Sequence, residues 1–247
     1  MGFTKVTVKV PDVNQSYKSG RYDYSSLAVK NANVKMLKDI RSKYYNSINT
    51  YGSAFGIPNG VIVSFIGAES GGVPVHQTNP SGAKLYDVWG VMALSPAAFY
   101  DAVIKWKNHV KGAEIPEVVK GKINQKIPTL LKGASYQSVG GQIRQAIQSD
   151  SDFNILGGTL LLRWLFERFS VGGETLFNKG IVAYNAGLYQ SFLISDKKLK
   201  TPDLTIKDTT TLVNNKKIPL ESRNYLLKVL GKDGFMDLIY WQKLVQA

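Results

Sequence analysis

The segment VIVSFIGAESGG, residues 61–72, is an apolar run that ends in a single acid and then two glycines. Val61, Ile62, Val63, Phe65, Ile66 and Ala68 cover every face of a helix, which predicts an element buried all round rather than an amphipathic surface helix. Its start falls near Pro58, in keeping with proline in a first helical turn, and its end at Glu69. Gly71 and Gly72 can take the positive φ that closes a helix, leaving the acid clear of bulky neighbours. At that position the charged form of Glu69 is disfavoured by loss of water and by the negative end of the helix dipole. A carboxyl so placed suits proton donation to a leaving oxygen. The plain alternative is a helix-end residue facing water.

Outward from this helix the chain reads as mainly helical. Upstream, VKMLKDIRSKYYNSINTYGSAFG places Met36, Ile40, Tyr44, Ile48 and Tyr51 at helical spacing, with an end near Gly52 or Gly56. Downstream, Ser95-Pro96 reads as an N-cap followed by the first residue of a helix. Two helices are expected within 116–149, parted near KGASYQS. DFNILGGTLLLRWLFERFS predicts a long apolar helix in which Gly157 and Gly158 mark the close approach of another helix. GGETLFNKGIVAYNAG predicts a helix closed by Gly187, and PLESRNYLLKVLG and DGFMDLIYWQKLVQ end the chain. The polar, Thr-rich stretch 195–219 reads as a surface excursion. Residues 1–33 stand apart: FTKVTVKV alternates as a short strand and PDVNQSYKSGRYDYSS as an extended arm. The expected organisation is an N-terminal arm, 1–33, and one helical domain, 34–247.

Composition narrows the chemistry. The chain has 247 residues, 44% of them hydrophobic and 20% charged, an ordinary globular balance. It has no cysteine, which excludes disulfides, thiolate metal sites and a cysteine nucleophile. The N-terminus lacks the apolar core of a secretory signal, MGFTKV departs from the myristoylation pattern at Val6, and no run of eighteen apolar residues offers a membrane span. Thirty-one basic against 18 acidic residues give +13. That charge favours a polyanionic partner, although the thin spread of Lys and Arg lacks the aromatic-interleaved clusters of a nucleic-acid groove; no nucleic-acid partner is expected.

Four blocks in order give a resemblance: ESGG (69–72) with NPSGA (79–83), WGVMALSP (89–96), AYNAG (183–187) and PLESRNYLLKV (219–229), with NILGGTLLLRWL before the third. Together they resemble the catalytic domain of the soluble-lytic-transglycosylase type, in the lysozyme-like superfamily, over roughly residues 57–230. The resemblance implies a mainly α, goose-lysozyme-like fold and a peptidoglycan substrate. By it, Glu69 is the sole catalytic acid and base. It protonates the glycosidic oxygen between N-acetylmuramic acid and N-acetylglucosamine, then takes the proton of the muramyl C6 hydroxyl as a 1,6-anhydro ring closes. This differs from the two-carboxylate scheme of most glycosidases. The remaining implied roles are support of the acid by Ser70, Tyr184 and Tyr225 and contact with sugar by Met92 and Asn185. Ser70 reads equally as a polar helix-end residue, Tyr184 also as a core aromatic and Met92 also as packing, while Glu221 and Arg223 are expected to brace the fold as a pair.

Two departures stand out. Ala93 occupies the place of the family's usual Gln, and KLYDV (84–88) is additional, bringing in Asp87. A second carboxylate near Glu69 would activate water and give a hydrolysing muramidase; a surface aspartate is the alternative. No cofactor or metal is expected. DSDFNILGG, from Asp150, starts like a calcium loop but carries Ile155 for the glycine and Leu161 for the bidentate glutamate, so Asp150 or Asp152 is read as a helix cap. His76 and His109 are too isolated for a zinc motif. The absence of a leader in the sequence leads to the expectation of a bacteriophage protein, a virion-associated wall-penetration enzyme or a lysis enzyme, with other virion proteins as further partners. The competing expectation is an inactive wall-binding or virion module of the same fold.

Overall fold

A computed structural model describes residues 3, 6–8, 13–77, 87–110, 112–171, 174–175, 177–194, 209–216 and 218–245, with only the backbone of 77, 171, 174 and 187–194. The block NPSGA and residues 195–208 of the expected surface excursion lie outside these. The fold is mainly helical, with small two-stranded sheets. It divides into two compact units, one of residues 1–6 and 40–164, the other of 7–39 and 165–247.

In the first unit α2 (Tyr45–Phe55) ends at Gly56 in the left-handed conformation. α3 (Asn59–Ser70) follows, buried from Val61 to Gly67 as its all-round apolar sequence demands. An antiparallel pair, β3 (Val75–Gln77) and β4 (Val88–Gly90), sets His76 opposite Trp89. α4 (Pro96–Ile104) begins after Ser95, which sits at the N-cap without a side-chain capping bond. The short α5 (Trp106–His109), α6 (Glu117–Lys126) and α7 (Tyr136–Ser149) lead to α8 (Ser151–Arg168), whose last turn belongs to the second unit. Asp150 caps α8 by accepting the N–H of Phe153 at 3.1 Å, which selects it over Asp152 as the cap. The core is aromatic: Phe55, Phe65, Phe99 and Phe153 are fully buried, with Phe99 and Phe153 edge to face at 5.5 Å.

The second unit contains a hairpin of β1 (Lys18–Ser19) and β2 (Tyr22–Asp23), most of α1 (Leu27–Lys43), and a pair of β5 (Ser170–Val171) and β6 (Glu174–Thr175). α9 (Phe177–Ile194) packs along α11 (Leu220–Leu230), and α10 (Thr209–Asn214) also meets α11. A short π-helix, Asp237–Trp241, is the last helix among the described residues.

Several expectations are corrected. The helical texture before Gly56 is two helices, broken at Tyr44, where no Gly or Pro announces a stop. α9 does not close at Gly187 but continues to Ile194, so the roughly 1 kcal/mol that an internal glycine costs does not end it. The end of the expected excursion forms α10, with Thr209, Leu212 and Val213 buried. Val6 is buried and donates its N–H to Gly56 O at 2.8 Å in the first unit, whereas Tyr17 and Tyr24 are buried edge to face in the second. Among the described residues 3 and 6–8, none lies in a strand.

Candidate active site

Glu69 sits in the last turn of α3, half-buried, two residues beyond the end of the fully buried run. The chain then turns through Gly71 (φ 63) and Gly72 (φ 83), both left-handed. At Gly72 a Cβ would stand 2.6 Å from Cγ1 of Ile40, so glycine is required by contact as well as by backbone. Tyr44 Oη donates to Gly72 O at 3.0 Å and anchors the turn from behind.

Ser70, the next residue, has a definite task. Its Oγ donates to Val91 O at 2.7 Å and accepts Gly72 N–H at 3.1 Å, tying the end of α3 to the turn of WGVMALSP. Within that turn Trp89 and Leu94 exchange backbone bonds at 3.1 and 2.9 Å, enclosing Gly90, Val91, Met92 and Ala93. Ala93 holds φ 42, a conformation costly for any residue with a Cβ.

The turn rests on α8. Asn154, fully buried, accepts Met92 N–H at 2.9 Å and donates to Trp89 O at 2.8 Å and Ile147 O at 3.2 Å. A Cβ on Gly90 would collide with this amide. Gly158 gives way to the Met92 side chain and Gly157 to Leu94 and Phe99, so the close approach expected at the glycine pair involves both the turn and α4. Met92 is fully buried there, which places it in packing and away from any open surface. Asn154 stands in the segment that starts like a calcium loop, but its work here is that of a buried hydrogen-bonding post within an apolar helix.

Asp87 is held by two neighbours. It accepts the Trp89 indole N–H on Oδ1, and Arg144 Nε reaches its Oδ2 at 2.9 Å with Nη2 on the same oxygen. His76 lies flat on Trp89 with ring centroids 3.8 Å apart, and His109 packs against Trp164 at 4.7 Å. Behind α3, Asp152 takes Ser47 Oγ at 2.7 Å, Tyr51 Oη at 2.8 Å and Lys122 Nζ at 3.1 Å. Burial raises the Asp152 pKa, but these three donors outweigh it and hold the carboxyl below its ordinary range. Among the described residues no group of three or more His, Asp or Glu is placed to hold a metal, and no helix is long and apolar enough to cross a membrane.

The other expected residues belong to the second unit. Tyr184 and Asn185 lie within α9, half-buried, rather than on a turn at its end. Asn185 Oδ1 accepts Ser222 Oγ at 2.8 Å, a link between α9 and α11, and its Nδ2 has no partner among the described residues. Tyr225 is buried on α11. Arg223 braces the fold without Glu221: its Nε donates to Ile218 O at 3.1 Å and Nη1 to Val213 O at 3.4 Å, while Glu221 is exposed. Two residues apart on a helix they face different ways, so the expected pair does not form. Of the six residues singled out in the sequence, Glu69, Ser70 and Met92 thus occur together in one unit and Tyr184, Asn185 and Tyr225 together in the other.

No family model matches the chain, and neither a curated protein nor a solved structure matches it.

Proposed function

We propose that this chain is a lytic transglycosylase of lysozyme-like fold that cuts the glycan strands of peptidoglycan, with Glu69 as acid and then base. The reading rests on the four sequence blocks, and the observation that carries it is the placement of Glu69. It is a half-buried acid on the last turn of a helix buried from Val61 to Gly67, followed by two left-handed glycines. In the proposed reaction the Glu69 proton goes to the glycosidic oxygen as its bond to muramyl C1 breaks, and the neighbouring acetamido oxygen holds C1. The C6 oxygen then attacks C1, and its proton returns to Glu69. Every atom of the nucleophile comes from the substrate.

A hydrolysing muramidase is the second reading, and it needs a base for water. Asp87, the carboxylate that sequence offers, already receives Trp89 and Arg144, which favours the first reading. The +13 charge suits a carboxylate-rich wall. Release of soluble fragments from purified peptidoglycan tests the assignment. Wild type and Asp87→Asn are expected to release them and Glu69→Gln to fail. Fragment release by Glu69→Gln at the wild-type rate would remove Glu69 from the mechanism.

A further inference from the structure

The second unit carries an open hollow of about 250 Å³, lined by Asn14, Lys232, Asp237, Trp241 and Gln242 together with apolar Val13. None of these residues has a part in the chemistry assigned to Glu69. The backbone around the hollow is unusual. Asp233 (φ 58) and Lys243 (φ 54) are left-handed residues other than glycine, and they flank the π-helix Asp237–Trp241. Both kinds of distortion are unfavourable and tend to be kept at sites of function.

Side chains hold the distortion in place. Gln242 Nε2 donates to Asp233 Oδ1 at 2.9 Å and to Asp237 Oδ2 at 2.7 Å, and the latter oxygen also takes Asp233 N–H at 2.7 Å. Lys30 Nζ stands 3.1 Å from Asp233 Oδ1. With the amide nitrogen committed, Gln242 Oε1 and Asp237 Oδ1 are fixed acceptors without partners among the described residues. The Trp241 indole N–H and the Asn14 amide are likewise without hydrogen-bond partners there.

This set of groups selects a chemistry. One aromatic side chain, two immobile acceptors and two donors suit a ligand that is apolar on a face and rich in hydroxyls at its edge. The charges of Asp237 and Lys232 offset one another and Asp233 is met by Lys30, so the hollow favours neither an anion nor a cation. Its volume falls below the roughly 300 Å³ at which drug-sized sites begin, room for a single ring. We infer that the hollow binds one neutral pyranose unit, its C–H face on Trp241 and its hydroxyls donating to Gln242 Oε1 and Asp237 Oδ1. The assignment does not depend on what Glu69 does.

Calorimetric titration of the full chain with N-acetylglucosamine, glucose and glucuronate tests it. Wild type is expected to bind a neutral sugar saturably and glucuronate more weakly. Trp241→Ala should bind about tenfold more weakly, as loss of a central aromatic anchor implies. Asn14→Ala, a change at an exposed residue, should weaken binding several-fold. A preference for N-acetylglucosamine over glucose would trace the site to wall glycan, and equal binding to neutral hexoses in general; either satisfies the inference. Absence of saturable binding, wild-type affinity in both Trp241→Ala and Asn14→Ala, or glucuronate bound as tightly as the neutral sugars would overturn it. A chain that binds sugar but cuts no wall would refute the Glu69 reading and leave this one standing.

Discussion

Ser70 Oγ lies 2.7 Å from the carbonyl oxygen of Val91, so the residue next to Glu69 fastens the end of α3 to the turn that carries Met92. Ile66 O, 3.1 Å away, competes for the one hydroxyl hydrogen, while Gly72 N–H uses a lone pair. Ser70→Ala removes the fastening and leaves Val91 O and Gly72 N–H without that partner. A loss of about 1–2 kcal/mol in chemical denaturation is expected. Unchanged stability would mean that water replaces the hydroxyl without cost.

Asn154 serves three backbone groups at once. Asn154→Leu keeps approximate volume but strips Met92 N–H and the carbonyls of Trp89 and Ile147 of their buried partner. The expected loss is about 3–5 kcal/mol, the sum of more than one unsatisfied buried group. A urea midpoint within error of wild type would show that the turn does not depend on the amide.

Gly158 and Met92 should behave as a coupled pair. Gly158→Ala puts a methyl where the Met92 side chain lies and is expected to cost about 1–3 kcal/mol. Met92→Ala alone leaves a cavity in a fully buried position. In the double variant the new methyl has room, so the two losses should add to less than their sum by about 1 kcal/mol. Strict additivity would contradict the contact.

Ala93 offers a gain. At φ 42 a glycine avoids the Cβ clash, although it also loosens the unfolded chain, so Ala93→Gly is expected to stabilise by about 0.5–1 kcal/mol. A lower melting temperature would speak against a left-handed residue at this place.

Asp150 and Asp152 predict acid sensitivity. Burial raises both, but the Lys126 and Phe153 partners of Asp150, and the Ser47, Tyr51 and Lys122 partners of Asp152, leave each below its ordinary value. A folded-state pKa below the unfolded one adds stability that is complete above the unfolded value, near about 4, and drains away as pH falls through the folded one. Stability of the wild type should therefore decline below about pH 4, and Asp152→Asn should flatten that decline while lowering stability at neutral pH. A decline of the same slope in the variant would locate the acid sensitivity elsewhere.

Much of this was legible in the sequence where one residue type permits one physical outcome. The run Val61–Gly67 of α3 had to be buried because its one polar residue, Ser64, is outnumbered by apolar side chains on every face and turns its hydroxyl back onto Gly60 O, while Gly71 and Gly72 had to turn the chain and Gly157-Gly158 had to admit a neighbour. What stayed hidden depends on tertiary partners. The break at Tyr44 has no local signal; it coincides with a phenol bonded to Gly72 O, a residue distant in sequence. Gly187 looked like a terminus, yet a single glycine stops a helix only if the following residues cannot continue it. Glu221 and Arg223 looked like a pair because of opposite charge, whereas helix geometry turns them apart and carbonyls claim the guanidinium. Asn154 looked like the remnant of a metal loop, and only the turn folded over it gives the amide its work.

In the proposed reaction Glu69 closes an anhydro ring without water. Mass spectrometry of the soluble products from purified peptidoglycan, digested with wild type and with Glu69→Gln, tests it most directly. 1,6-Anhydromuramyl ends are expected from the wild type and none from the variant. Hydrated reducing ends from the wild type, or anhydro ends from both proteins, would contradict it.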